Sequence, residues 1–327
     1  MRIAVYAGML LACAGLAAAP GAWAQRSVAG YPVKPVRWVV PFPPGASNDI
    51  LARLIGQKLT DALGQQFVVD NRPGAGGSVG ADTVAKANPD GYTLLVSNPG
   101  PSVNNVLLRA KPPYRIDDFV PVVWIGYAPL IIVAHPSFPP GNARELVDYA
   151  RSRPGRVNWG SSGIGSSLHI GLALFQAATG ASVVHVPYKG AAAALTDVVG
   201  GQIDLMYTTT VTGDAHIRAG RIKVLGVADA KRQAVLPDVP TFVELGVWNA
   251  DAYVWFGMSA PARTPGPVIA TLNREVNKAL ELADVRQRLD QLGLVVTGGT
   301  PAKFDAFIKS EARRLAGLIK SGAVQVE

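Results

Sequence analysis

Cysteine is nearly missing from this chain: Cys13 is the single one in 327 residues. It lies in an apolar N-terminal run, so a chain cleaved after that run has no thiol. That excludes disulfides, thiolate nucleophiles and thiolate metal sites. Histidine is scarce as well. His135, His169, His185 and His216 form no HxH or HxxxH pair, so the sequence carries no metal-ligand spacing. Past residue 24 no segment reaches membrane-spanning length without a charge, glycine or proline. Basic clusters are absent too. The net charge is +8, yet no basic run exceeds the pairs Lys231-Arg232 and Arg313-Arg314, which argues against nucleic acid as a partner.

What is present begins with a secretory leader over residues 1–24. Arg2 supplies a positive start, Ile3 to Ala19 an apolar run, and Ala22-Trp23-Ala24 a small-x-small cleavage site, so the mature chain is expected to start near Gln25. A lipoprotein reading through Leu10-Leu11-Ala12-Cys13 fits less well, because Leu11 is unsuited and apolar sequence continues past Cys13. Export to the periplasm, with no membrane insertion after cleavage, is the expectation. The mature chain carries 30 basic against 23 acidic residues, a net +7 that helps an anion approach.

Apolar strand segments and amphipathic helices alternate nearly throughout, the pattern of mostly parallel α/β layers. Expected strands are Val36–Val40, Gln66–Val69, Thr93–Ser97, Val122–Gly126 and Leu130–Ala134. Later ones are Val157–Trp159, Val183–Val186, Ile203–Tyr207, Ile222–Val227 and Tyr253–Ser259. Leu51, Ile55 and Leu59, like Val268, Leu272, Val276 and Leu280, recur at helical spacing and read as core stripes. Two extended apolar segments, Val122–Ala134 and Ala252–Pro261, bracket the middle third. They suggest two lobes with two chain crossings: residues 31–125 plus 257–327, and an inserted lobe of 126–256.

Two strand-to-helix corners carry the chemistry. In Pro41-Phe42-Pro43-Pro44-Gly45-Ala46-Ser47-Asn48-Asp49, prolines stiffen the turn and Ser47, Asn48 and Asp49 are all capable N-caps. Such a corner lies at the carboxyl end of a strand, where ligands settle, and the helix start offers free N–H groups to an anion. Asp49 repels a carboxylate, so it reads as a capping acceptor or a partner for a ligand donor. The second corner, Trp159-Gly160-Ser161-Ser162-Gly163-Ile164-Gly165-Ser166-Ser167, offers small hydroxyls and exposed amides. Pro187-Tyr188-Lys189-Gly190 is a third, with Lys189 either sensing charge or simply solvated.

Other motifs fail on inspection. Gly74-Ala75-Gly76-Gly77-Ser78-Val79-Gly80 lacks G-x-G-x-x-G and reads as a tight connection with Ser78 as N-cap, its backbone donors free to border a ligand. No P-loop occurs. Around Ser162 the second glycine of G-x-S-x-G is missing.

These residues resemble the Bug receptors, the periplasmic substrate-binding proteins of tripartite tricarboxylate transporters. The likeness runs through Tyr31-Pro32-x-Lys34-Pro35, the corner from Pro41 to Asp49, Leu63-Gly64-Gln65 and Val69 to Gly77. It continues through Pro89 to Leu95, Ser162 to Ser166, Val186 to Gly190, Gly200 to Asp204 and Leu236 to Thr241. The resemblance implies a two-lobed Venus flytrap without enzymatic activity, cofactor or metal. It implies reversible binding of a small organic carboxylate and delivery to membrane transporter subunits, by a receptor acting as a monomer.

By the same resemblance Phe42, Gly45, Ala46, Ser47, Asn48 and Asp49 form one jaw. Ser162, Gly165, Ser166, Ser167, Tyr188, Lys189, Gly190 and Ala191 face it, with Asn98 and Asp204 at other strand ends. Ala46 departs from the family's usual Gly-Gly; were a positive φ required there, alanine would cost about 1 kcal/mol. Two other readings remain: a small-acid hydrolase or isomerase using the cleft, and a solute sensor feeding a signalling partner.

Overall fold

The computed structural model describes residues 30–248 and 252–324; the expected leader lies outside them. Along the chain come β1 (Val36–Val40), α1 (Ser47–Leu63), β2 (Phe67–Asn71), α2 (Ser78–Ala85), β3 (Thr93–Ser97), the short α3 (Asn105–Leu107), β4 (Phe119–Pro129) and β5 (Ile131–Ala134). Then follow α4 (Ala143–Ser152), β6 (Asn158–Ser161), α5 (Ser167–Thr179), β7 (Val184–Pro187), α6 (Ala191–Val199), β8 (Leu205–Thr208), α7 (Thr210–Arg218) and β9 (Lys223–Val227). The chain closes with β10 (Tyr253–Pro261), α8 (Gly266–Glu281), α9 (Ala283–Gln291), β11 (Val295–Val296) and α10 (Pro301–Lys320). No described helix is long and apolar enough to cross a membrane.

The strands form two sheets, ordered β11-β4-β10-β3-β1-β2 and β7-β6-β8-β5-β9. Helices flank both, giving the two-lobed α/β architecture. Strands reached through helices run parallel, β1 with β2 and β3, and β6 with β7 and β8. The expectation of mostly parallel sheets stops there. β10 is antiparallel to β3 and β4, β11 to β4, and β5 to β8 and β9. The short β11 aside, both sheets are mixed because β5 and β10 arrive straight from the other sheet rather than through a helical crossover, and such direct connections permit antiparallel pairing.

Each helix buries the stripe its periodicity announces. Leu51, Ile55 and Leu59 of α1 are no more than 1% exposed. Gly64, left-handed at φ 68°, ends that helix and donates its N–H to Thr60. In the second lobe Trp159, Phe175, Tyr207 and Phe242 form a buried aromatic cluster beneath the cleft.

Sheet membership changes at one residue, Leu130, between β4 and β5, and again between Val227 and Tyr253. The two crossings are tied to each other. Leu130 N–H donates to the Ala252 carbonyl, Ala252 N–H to that of Ala228, and Ala228 N–H to that of Leu130, at 2.8, 3.1 and 2.8 Å. Three backbone segments thus close a ring of hydrogen bonds at the junction.

Candidate functional site

The first corner is built by β1 and α1. Helix α1 starts one residue earlier than capping chemistry suggests: Ala46 is the N-cap, with no side-chain bond, and Ser47 is the first helical residue. Gly45 takes the positive φ of 85°, while Ala46 is extended at φ −87°. Alanine at 46 is therefore unstrained, and its methyl group faces the cavity.

Asp49 is buried and turned into its own lobe. Its carboxylate accepts the Gly45 N–H at 3.1 Å, the Asn71 amide at 3.1 Å and the Arg53 guanidinium at 2.9 Å. Burial alone would raise its pKa; the bonds from Arg53, Gly45 and Asn71 outweigh that and hold it below the usual carboxylate range. Asp49 braces the turn.

The second corner leaves β6. Ser166 is the N-cap of α5, its hydroxyl accepting the His169 N–H at 3.3 Å, so the hydroxyl is spent on the helix. Ser162 and Ser167, on either side, reach the cavity. Ser161 is fully buried behind the loop, with Oγ 2.6 Å from His185 Nε2. Among the described residues no carboxylate stands behind this serine–histidine contact: the influences on His185 are burial and the stacked His169 ring at 4.4 Å. Together they push the His185 imidazole down to about 4.

The unfolded chain takes up that proton near pH 6.5. Between pH about 6.5 and about 4 the unfolded state binds more protons, so stability falls as pH falls through this window. His185→Gln is expected to flatten that part of a melting-temperature profile; an unchanged slope refutes the assignment.

The third corner, between β7 and α6, brings Ala191 to the cavity. Tyr188 turns aside, donating to Asp197 at 2.6 Å, with burial and this partner raising its pKa to about 12. A fourth corner, between β8 and α7, is not among those expected from the sequence. Thr208, Thr209 and Thr212 line the cavity. Its signal was legible in Thr208-Thr209-Thr210, a hydroxyl-rich strand end running into a helix, but β-branched residues read equally well as more strand.

The jaws meet. Ser47 Oγ lies 2.8 Å from Thr209 Oγ1 and 2.6 Å from Thr212 Oγ1, and Ser47 N–H donates to Thr212 Oγ1. Asn104 donates to the Gly165 carbonyl at 3.1 Å, and a Cβ at Gly165 would overlap Asn105 Oδ1. Gly190 packs on Pro43 so tightly that a Cβ there would stand 2.5 Å from its Cδ. This is the closed form of the cleft.

Between the jaws lies a cavity of about 40 Å³, room for roughly three waters. Of the expected residues, Phe42, Ala46, Ser47, Asn48, Asn98, Ser162, Ser167 and Ala191 line it. Leu168, Val254 and Phe256 add apolar walls, and no lining residue is charged. Asn98 donates to Asn48 Oδ1 at 2.8 Å, which orients both amides. Gly45, Asp49, Gly165, Ser166 and Gly190 stand behind the lining as structural supports. Tyr188 and Lys189 border a neighbouring space instead.

Asp204 requires a correction. It precedes β8, whereas the cavity lies past the strand's other end at Thr208, and its carboxylate accepts the Asn158 N–H at 2.7 Å. Ser78 also differs from expectation: Gly77, left-handed at φ 97°, holds the cap position of α2 and Ser78 is the first helical residue.

Four helix N-termini, those of α1, α5, α6 and α7, converge on the cavity. Each has first-turn N–H groups without an intrahelical partner and the positive end of a helix dipole, about half a charge. Of these, hydroxyls take the N–H groups of Ser47, His169 and Thr212. Thr208 Oγ1 is buried at this wall with no hydrogen-bond partner among the described residues. The chemistry offered is that of hydrogen-bond donors aimed at an anion, without a counter-ion.

Residues 51–323 match the family model described as tripartite tricarboxylate transporter family receptor. Protein BugT of Bordetella pertussis is 35% identical over 328 residues, 100% of this chain and 99% of BugT. A Rhodopseudomonas palustris protein solved with adipate superposes with a TM-score of 0.87 at 34% identity, covering 90% of this chain and 99% of that one. MatC of the same organism, solved with bound malate, gives 0.83 at 35% identity, covering 87% and 98%.

Proposed function

Because this chain belongs to the tripartite tricarboxylate transporter receptor family, we propose that it is a periplasmic receptor that binds a small organic carboxylate between its lobes and passes it to a membrane transporter of the tripartite tricarboxylate type. What supports this reading above all is the lining of the cavity: four helix N-termini, aligned amides and an unpartnered buried threonine hydroxyl, with no charged side chain. A carboxylate satisfies these donors without needing arginine or lysine. The adipate and malate held by the two R. palustris relatives are of that class.

The mechanism is capture without covalent chemistry. The ligand enters the open cleft and the lobes rotate about Leu130. The closed form is favoured by donors from both sides that only it brings together. No step calls for a nucleophile, and the chain acts as a carrier rather than as a catalyst.

A thermal-shift panel of mono-, di-, tri- and amino-carboxylates tests this directly. One or two acids should raise the melting temperature, since a ligand that binds only the native state stabilises it. Silence across the panel overturns the carboxylate, and turnover of a stabilising acid overturns the receptor. Thr208→Val keeps the shape and removes the hydroxyl. It should weaken binding of the stabilising acid by roughly 5- to 30-fold, the worth of one buried hydrogen bond, while the empty protein melts no lower. Unchanged affinity would remove Thr208 from the site.

A further inference from the structure

A cavity of about 350 Å³ opens on the first lobe, away from the cleft. It shares no lining residue with the cavity between the jaws. The first lobe supplies its whole wall, from the segment running into β4, strand β10, helix α10 and the helical turn Gly100–Asn104. Its floor is buried: Ser102, Ser259 and Ile308 are 6%, 2% and 5% exposed. Ser259 accepts the Ser97 hydroxyl at 2.7 Å, but the Ser102 hydroxyl has no partner among the described residues. Ile116 and Phe119 make the side wall apolar. The rim is charged. Asp305 and Lys309 pair there at 2.6 Å. Asp117 and Arg313 are both exposed, and neither forms an ion pair or hydrogen bond among the described residues. Held on different elements, they border one space without neutralising each other.

This volume falls in the range of small-molecule sites, roughly 300–1,000 Å³, which are mostly apolar with a few placed polar groups. A buried hydroxyl that the fold leaves unanswered points the same way. The two unpaired rim charges have opposite sign, so a ligand with a single charge answers only one of them. We propose that this cavity binds a free α-amino acid with a large apolar side chain. Its carboxylate lies on Arg313 and its ammonium on Asp117, while the side chain fills the space between Ile116, Phe119 and Ile308, over Ser102. An α-amino acid suits the site because both charges stand on one carbon, which leaves the side chain free to enter the apolar interior. The site lies within one lobe, so it neither needs the cleft to close nor rests on the carboxylate reading above. The receptor then takes two ligands of different charge type, one between the lobes and one on the first lobe.

Isothermal titration with three probes of one shape tests this: L-phenylalanine, 3-phenylpropanoate, which lacks the ammonium, and 2-phenylethylamine, which lacks the carboxylate. They are titrated into the parent protein and into Ser167→Trp, whose indole fills the cavity between the jaws. L-phenylalanine should bind both proteins alike and roughly 5-fold tighter than either analogue, about the most that one exposed ion pair contributes. Arg313→Gln should bring L-phenylalanine down to the level of 2-phenylethylamine, and Asp117→Asn down to that of 3-phenylpropanoate. Both residues are exposed, and each comparison is made within one protein, so a general loss of affinity cancels. No binding of L-phenylalanine to the parent overturns the site. So does its loss in a Ser167→Trp protein that melts like the parent, since the amino acid then binds in the cleft. Should Ser167→Trp melt early, the rim variants decide alone. Equal binding of the three probes, or an undiminished preference in both rim variants, also overturns the proposal. The carboxylate reading is decided separately, by the acid panel.

Discussion

Gly76→Val should lower ligand affinity by 100-fold or more while the protein still folds. Gly76 sits on the β2–α2 connection, left-handed at φ 63°, and a Cβ there would overlap the Ile164 carbonyl oxygen of the opposite lobe. A backbone oxygen does not step aside as a flexible side-chain tip does. In the open cleft that clash is gone. What remains is the left-handed backbone, about 2 kcal/mol for a β-branched residue, and the Asn105 side-chain amide of the same lobe, whose oxygen would stand 3.1 Å from the Cβ and must give by a few tenths of an ångström. The substitution therefore acts on the closed form far more than on the fold. A receptor whose binding-competent conformer is depopulated 100-fold loses affinity by the same factor. Small-angle scattering with saturating ligand should find the variant still open, with a melting temperature only a few degrees below the parent's. Parental affinity would mean that the two loops need not approach for binding.

Trp159→Ala is expected to carry the largest stability cost in the second lobe, about 3 kcal/mol, at the lower end of the range for a large aromatic lost from a core. Its ring is fully buried and packs 5.0 Å, centroid to centroid, from both Phe175 and Tyr207. The cost stays at the low end because the indole N–H has no partner among the described residues, so truncation also removes an unsatisfied donor. Trp159→Phe retains most of the packing without that donor and should cost well under half as much. Urea unfolding of the three proteins measures this order. A loss below 1 kcal/mol for Trp159→Ala would show the lobe's core to be elsewhere.

The two-lobed α/β fold was legible because apolar strands and amphipathic helices follow different periods, and both signals are strong here. Strand direction was not. Nothing local in Tyr253–Pro261 says that this strand will run against its neighbours, since direction is decided by the route of the chain. β11 was missed for a related reason. Two valines make no pattern, and they become a strand by pairing with Tyr127 and Gly126; a side chain at Gly126 would overlap the Val295 carbonyl.

At the site, corner positions were legible and individual side chains only partly so. A helix turns by about 100° per residue, so the shift of one position from Ser166 to Ser167 separates a capping hydroxyl from one that reaches the ligand space. Asp204 failed on direction, because the same strand has one end at the cleft and one far from it. Ala46 differs from the family's usual glycine in volume and not in conformation, since its backbone is extended at φ −87°. The turn's positive φ belongs to Gly45.

The ring of hydrogen bonds that joins Leu130, Ala228 and Ala252 has a mechanical consequence. Shear would break those bonds, whereas rotation about them preserves them, so the softest relative motion has a single degree of freedom. Occupancy is then encoded in one angle. On the function proposed above, a membrane partner that grips both lobes would need no contact with the cargo to know that it is there, and receptors carrying different acids could present the same angle to the same gate.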